Sequence, residues 1–168
     1  AGTREIEQDR NRHLLLMAEA LACARPSPGR RVAVVSGAGA QCVIISDACA
    51  ALGLDLPTFD PETQRRLQSL LPPHAPPARN PVDLGGPGPD PAMHLAALEA
   101  IAGLDYVDGI VTSPLSVGNP DAPSDEDRAF LERVTALSAR TGKPMVLSAF
   151  RRDAHSDPHA NGQPDGDA

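Results

Sequence analysis

The chain has 168 residues, 41% of them hydrophobic but only 2% aromatic, and a formal net charge of -7. That length supports one domain with a real core and not comfortably two. The scarcity of rings leaves the core to Ala, Val, Leu and Ile, which suits helices packed closely on a sheet. The acidic balance argues against a nucleic-acid or anionic-membrane surface.

In chain order, residues 1–10 are polar and read as a flexible lead-in. From Asn11 to Ala24 the apolar positions Leu14, Leu15, Ala18, Leu21 and Ala22 keep helical spacing, which predicts an amphipathic helix. Pro26-Ser-Pro-Gly29 ends it. Val32 to Val35 is a β-branched run that predicts a buried strand. Ser36 to Ala40 is a turn of small residues, and an amphipathic helical pattern follows, closing at Gly53 as the glycine just past the helix end.

Leu54 to Phe59 predicts a short strand, with Pro57 confining it to a sheet edge. Asp60-Pro61 and Asp90-Pro91 each pair an N-cap with proline at the first helical position, predicting helices to about Leu71 and to Ala102. Between them lies a proline-rich loop leading into Asn80 to Gly86. Val107 to Thr112 predicts a strand buried on both faces. Ser124 with Asp127 has capping-box spacing for a helix to about Arg140, and Met145 to Phe150 predicts the last strand. Residues 151–168 hold charges, His, Pro and Gly with almost nothing apolar, which predicts a disordered tail.

Strands alternating with helices across short loops predict an α/β fold. The plan is flavodoxin-like, a three-layer αβα arrangement around a five-stranded parallel sheet in the order 2-1-3-4-5, spanning residues 11–150. In such a sheet, ligands gather where the strand order reverses, at the carboxyl ends of strands 1 and 3. The turn after the first strand and the loop from Asn80 to Gly86 are expected there.

The turn formed by Ser36, Gly37, Ala38, Gly39, Ala40, Gln41 and Cys42 is the candidate site. A strand that empties into a helix start leaves backbone N–H groups unpaired, and the helix dipole adds positive potential, so an anion such as phosphate is a natural ligand. The same small residues also serve a tight turn with no ligand. The turn lacks the Gly-Lys-Ser/Thr ending of a nucleotide-hydrolysing loop and the third glycine of a dinucleotide fingerprint.

Cys42 falls in the first helical turn, where the dipole would lower a thiol pKa. A small buried residue facing the sheet is the favoured reading, and Asp47 reads as a solvated side chain. In the second loop, Pro81 holds Asn80 extended, while Asp83 with Gly85 and Gly86 can form a side-chain-stabilised turn.

The three cysteines, Cys23, Cys42 and Cys49, are odd in number and form no C-x-x-C pattern, so a disulfide framework is not expected and a reducing cytoplasm is. Of the histidines, His13 and His94 fall on predicted helices at exposed or boundary positions, and His74 in the proline loop. His155 and His159 fall in the tail, where Asp157-Pro158 forbids a helical metal pair. No metal site and no catalytic residue is assigned. No apolar run reaches the length of a membrane span, and no signal-peptide pattern appears.

Taken together, the segments Val34 to Ala48, Gly53-Leu-Asp-Leu-Pro57, Asp60-Pro-Glu-Thr-Gln64, Leu71-Pro-Pro73, Asn80-Pro-Val-Asp-Leu-Gly85 and Thr141-Gly-Lys-Pro-Met-Val146 resemble the NDP-forming acyl-CoA synthetases. The order and spacing match over roughly residues 10–150. The part resembled is the succinyl-CoA-ligase-like flavodoxin domain of the α subunit.

The resemblance implies an acid–thiol ligase that converts acyl-CoA, ADP and phosphate to acid, CoA and ATP through a phosphohistidine. The turn from Ser36 to Cys42 would be one of two helix N-termini aimed at that group. Backbone amides of Gly39 to Cys42 would hold the phosphate, Ser36 would add a hydroxyl, and Asn80, Asp83 and Gly85 would support the neighbouring loop.

The histidine, the CoA-binding domain and the nucleotide-grasp domain lie outside this chain. They are its implied partners, and ADP or ATP, CoA and Mg are cofactors of the complete enzyme rather than of this chain alone. A non-catalytic scaffold domain of a protein lysine acetyltransferase is the alternative. A flavin-binding flavodoxin is disfavoured, since Phe59, Tyr106, Phe130 and Phe150 are poorly placed to sandwich a ring.

Overall fold

In the computed structural model, residues 26–86, 90–113 and 124–147 are described. The predicted lead-in, the helix from Asn11 to Ala24, Cys23, His13, the three last positions of the final strand and the tail with His155 and His159 lie outside them. The described elements are β1 (Val32–Ser36), α1 (Gly39–Ala51), α2 (Pro61–Leu70), β2 (Val82–Asp83), α3 (Pro91–Ala102), β3 (Gly109–Ser113), α4 (Asp125–Thr141) and β4 (Met145–Leu147). The strands are all parallel and lie in the order β2-β1-β3-β4, a flavodoxin-like layout with four described strands.

The expected edge strand from Leu54 to Phe59 does not form a ladder. Only Asp55 pairs, in an isolated parallel bridge to Arg31. Pro57 has no N–H with which to continue it. The free edge of β1 is instead completed in three successive pieces. Asp55 accepts from the Val32 amide at 2.7 Å. The Asn80 side chain comes next: its Oδ1 accepts from the Val34 amide at 3.0 Å, and its Nδ2 donates to the carbonyls of Val32 at 2.9 Å and Pro57 at 3.1 Å. Beyond it, Val82 and Asp83 pair with Val35 and Ser36. A side-chain amide thus stands in for one rung of backbone pairing, and the Asn80–Pro81 peptide bond beside it is cis.

This arrangement corrects the expected geometry at the switch point. The strand order reverses between β1 and β3, whereas the loop from Asn80 to Gly86 flanks β1 on its outer edge. The Asn80 amide and β2 have taken that edge, so this loop reaches the β1 turn from the side.

The helix starts follow their caps. Asp60 accepts from the amides of Glu62 and Thr63 at 3.0 and 2.9 Å, and from the hydroxyls of Thr63 and Tyr106, each at 2.6 Å. These donors hold its carboxyl below the usual carboxylate range. Asp90 accepts from the Ala92 amide at 2.9 Å, and Ser124 with Asp127 closes a capping box on α4. Past the helix ends, Gly53 and Gly142 adopt φ of 67° and 71°, a conformation that favours glycine.

The sheet separates two cores. Ala33, Val35 and Ile110 face α2, α3 and α4, where Leu67, Leu98, Ile101, Val134 and Leu137 are buried against them. Val32, Val34 and Val111 face the other way and pack with Ile45 and Cys49 of α1 and with Leu54 and Leu56. The amphipathic pattern expected of α1 is incomplete, because Val43 and Ile44 are 60% and 68% exposed on its outer side. His94 is not at a boundary but inside the first core, 2% exposed. The packing of α3 against α4 encloses it, with its ring centroid 5.2 Å from that of Phe130.

Candidate functional site

β1 ends at fully buried Ser36, whose hydroxyl donates to Gln41 Oε1 at 2.8 Å and accepts from the Ala38 amide at 3.2 Å. Gly37 donates its amide to the Ser113 carbonyl at 3.3 Å, tying the turn to the end of β3. The N-cap of α1 is Ala38, which has no side-chain oxygen to offer, and no acidic residue stands in the first turn. The amides of Gln41 and Cys42 both donate to the Ala38 carbonyl, at 3.0 and 3.2 Å.

Of the seven residues singled out in the turn, only Gly39 and Ala40 retain amides without a protein acceptor among the described residues. The Ser36 hydroxyl and the amides of Ala38, Gln41 and Cys42 donate within the turn, and the Gly37 amide donates to the end of β3. The other described helices have side-chain caps; α1 has none.

The supporting loop comes closer than expected. The register pairing of Ser36 with Asp83 places the two turns side by side. Asp83 Oδ1 accepts from the Gly85 amide at 3.0 Å, forming the expected side-chain turn. Its Oδ2 lies 2.7 Å from the position that a Cβ on Gly39 would take. The surroundings of the turn are therefore not free of carboxylates: one stands beside the uncapped helix start, where it favours the dipole and opposes an incoming anion.

Gly85 has φ of 89°, and a Cβ there would come within 2.9 Å of the Ala75 methyl. His74 Nε2 is 2.7 Å from the Gly85 carbonyl and pins the proline loop to this turn. Nothing in the order of residues pointed to that contact.

Cys42 is buried, and its thiol donates to the Val82 carbonyl at 3.5 Å. Burial, then the Asp83 charge, push its pKa up to about 11. The dipole effect considered from sequence is outweighed, and a nucleophilic role has no support. Asp47 is exposed, as read from sequence. His94 Nε2 lies 2.6 Å from Thr112 Oγ1, and burial lowers its pKa to about 4.

No three His, Cys, Asp or Glu side chains among the described residues group as metal ligands. No described helix is long and apolar enough to cross a membrane. What the turn offers chemically, among the described residues, is a pair of amides at a positive helix end, which can hold an anionic oxygen, with the Asp83 carboxylate standing beside them.

Comparison with known proteins places these features in a family. The family described as the Ligase-CoA domain matches residues 32–118, a span that runs from β1 through the loop of Asn80 to the end of β3 and a few residues beyond. No curated protein matches.

Among solved structures, PH0766 from Pyrococcus horikoshii OT3 aligns with 77% of this chain and 28% of its own, at 21% identity and a TM-score of 0.57. The dinucleotide forming acetyl-coenzyme A synthetase 1 of Ca. Korarchaeum cryptofilum, in complex with phosphate and ADP, aligns with 74% of this chain and 25% of its own, at 18% identity and a TM-score of 0.55. Its apo form aligns with 74% of this chain and 26% of its own, at 18% identity and a TM-score of 0.54. At these identities the likeness is one of fold. The chain spans about a quarter of the length of each of these solved proteins.

Proposed function

The chain belongs to the Ligase-CoA domain family, and from that membership we propose that it serves as one domain of an NDP-forming acyl-CoA synthetase. The complete enzyme would convert acyl-CoA, ADP and phosphate to acid, CoA and ATP. This chain would contribute the α1 N-terminus as the docking point for a phosphohistidine presented by another domain. The observation that carries the reading is the pair of unpaired amides of Gly39 and Ala40 at the one described helix start without a side-chain cap.

The residues present suit a phosphoryl oxygen approaching along the helix axis, with Ser36 and Gly37 holding the turn open rather than touching the ligand. Asn80 supports the site by fastening the edge of β1, and Asp83 and Gly85 shape its flank. Nucleotide, CoA and Mg fall, on this reading, to the CoA-binding, ligase and nucleotide-grasp domains.

A second reading has one observation in its favour. The Asp83 carboxylate beside Gly39 disfavours an anion there, as would suit a scaffold domain of a protein lysine acetyltransferase or a related multidomain protein. The complete gene product decides between them. It is expected to form ATP from ADP and phosphate when given an acyl-CoA, and Gly39→Val is expected to abolish that activity with the fold retained. A complete product that carries an acetyltransferase domain and forms no ATP would establish the scaffold instead.

A further inference from the structure

α1 is apolar on every side, yet among the described residues it is buried on only one. Its thirteen residues carry a single charged side chain, Asp47, and only Cys42 and Cys49 are buried. α3 is as poor in charge, with Glu99 alone, but seven of its twelve residues are buried because α2 and α4 both pack against it. A helix that is apolar all round belongs inside an assembly. On α1, Cys42, Ile45 and Cys49 turn to the sheet. Ala40, Val43, Ile44, Ala48 and Ala51 form an exposed stripe on the outward half, interrupted only by Asp47. Val43 and Ile44 are its largest members, and neither β1 nor the stretch from α1 to α2 reaches over them. A contiguous apolar patch of this kind marks an interaction surface.

We propose, resting on the function given above, that this stripe seats the domain that presents the phosphohistidine. The surface that fits it is apolar, with one cationic side chain set opposite Asp47, because that carboxylate would otherwise be desolvated without compensation. Three observations select this occupant. The stripe begins at Ala40, whose free amide forms the docking point together with that of Gly39. At 1.5 Å per residue, Val43 and Ile44 stand only roughly 4.5–6 Å further along the helix, so a protein body that reaches those amides covers them too. This chain aligns with about a quarter of each solved relative, so the greater part of such a protein lies beyond this domain. Finally, the outer faces of α2 and α4 carry exposed charges such as Arg65, Arg66, Glu132 and Arg133, as helices facing water do. The stripe on α1 has instead the aliphatic, charge-depleted composition of an interface core.

The experiment is maleimide labelling of Ile44→Cys, read peptide by peptide by mass spectrometry, in the full chain alone and in the complete enzyme that contains the histidine-bearing domain. Ser69→Cys, at an exposed position on α2, is the control and should label at one rate in both. Position 44 should match that rate in the chain alone. In the complete enzyme it should label at least about tenfold more slowly, because an interface packed to interior density excludes the reagent. Adding Asp47→Lys should restore fast labelling there while leaving urea unfolding of the chain alone unchanged. Equal labelling of position 44 in both proteins would overturn the proposal. Slow labelling in the chain alone would overturn it too, by showing that other residues of this chain or a second copy fill the stripe. Protection at position 44 together with full ATP formation by Gly39→Val would uphold the interface and overturn only the phosphohistidine docking.

Discussion

The carboxylate of Asp83 rests against the α-carbon of Gly39, its Oδ2 only 2.7 Å from the position a side chain there would claim. The contact follows from the parallel pairing of Ser36 with Asp83. It places a negative charge at the uncapped start of α1, partly satisfying the helix dipole and competing with any anion at the amides of Gly39 and Ala40. Replacing Asp83 by Asn keeps an acceptor for the Gly85 amide while removing the charge. Asp83→Asn is expected to tighten phosphate binding by several-fold to about tenfold, on the order of 1 kcal/mol for one screened charge at this range. Parallel phosphate titrations of the two proteins at constant ionic strength measure the difference.

Asn80 is a structural keystone of the β1 edge. Its amide serves the buried Val34 N–H and Val32 carbonyl together with the Pro57 carbonyl. Asn80→Ala leaves those backbone groups without partners, at roughly 1–3 kcal/mol for each buried group orphaned. A total loss of about 2–4 kcal/mol in urea unfolding is expected. A loss below 0.5 kcal/mol, taken as roughly the lower edge of what one net hydrogen bond contributes, would mean that water replaces the side chain there.

His94 sets a pH dependence of stability. Its folded pKa is lowered to about 4 from 6.5 by burial, so the folded state refuses a proton that the unfolded chain accepts. Stability is therefore full above about pH 6.5 and falls as the pH drops towards 4, by up to about 3 kcal/mol. A second loss follows at lower pH. Asp108, held down to about 2 by its bonds to the Arg31 guanidinium and amide, contributes stability present above pH 4 and lost as the pH falls towards 2. Denaturation series at pH 7.5, 5.5 and 4.5 should show the first loss in the native chain. His94→Gln, which keeps a polar partner for Thr112, should flatten it.

Cys42 is expected to resist alkylation. With its pKa near 11 and its sulfur buried, only about one thiol in a thousand is thiolate at pH 8. Iodoacetamide labelling read by mass spectrometry should modify Cys42 far more slowly in the native chain than in urea. Labelling at equal rates would contradict the buried, protonated thiol.

Much of the fold was legible because it is written locally. Asp60-Pro61, Asp90-Pro91 and the Ser124–Asp127 pair each start the helix they predict, and Gly53 closes α1. The features that escaped depend on distant partners. The strand expected at Leu54 reduces to one bridge because a side chain 25 or so residues onward takes its rung. His94 reads as a boundary residue on its own helix and is buried only when α4 brings Phe130 against it. At the site, the small residues of the turn announced an open helix start. Which amides stay free, and that Asp83 stands beside them, follow from the register of β1 with β2 and from bonds within the turn.

The most direct test is a phosphate titration of the isotopically labelled full chain, followed by backbone amide shifts and compared with Asp83→Asn. The account predicts saturable shifts centred on Gly39 and Ala40, smaller ones at Gln41 and Cys42, and a lower midpoint in the variant. Titration to millimolar phosphate with no saturable change at Gly39 or Ala40 in either protein would contradict it.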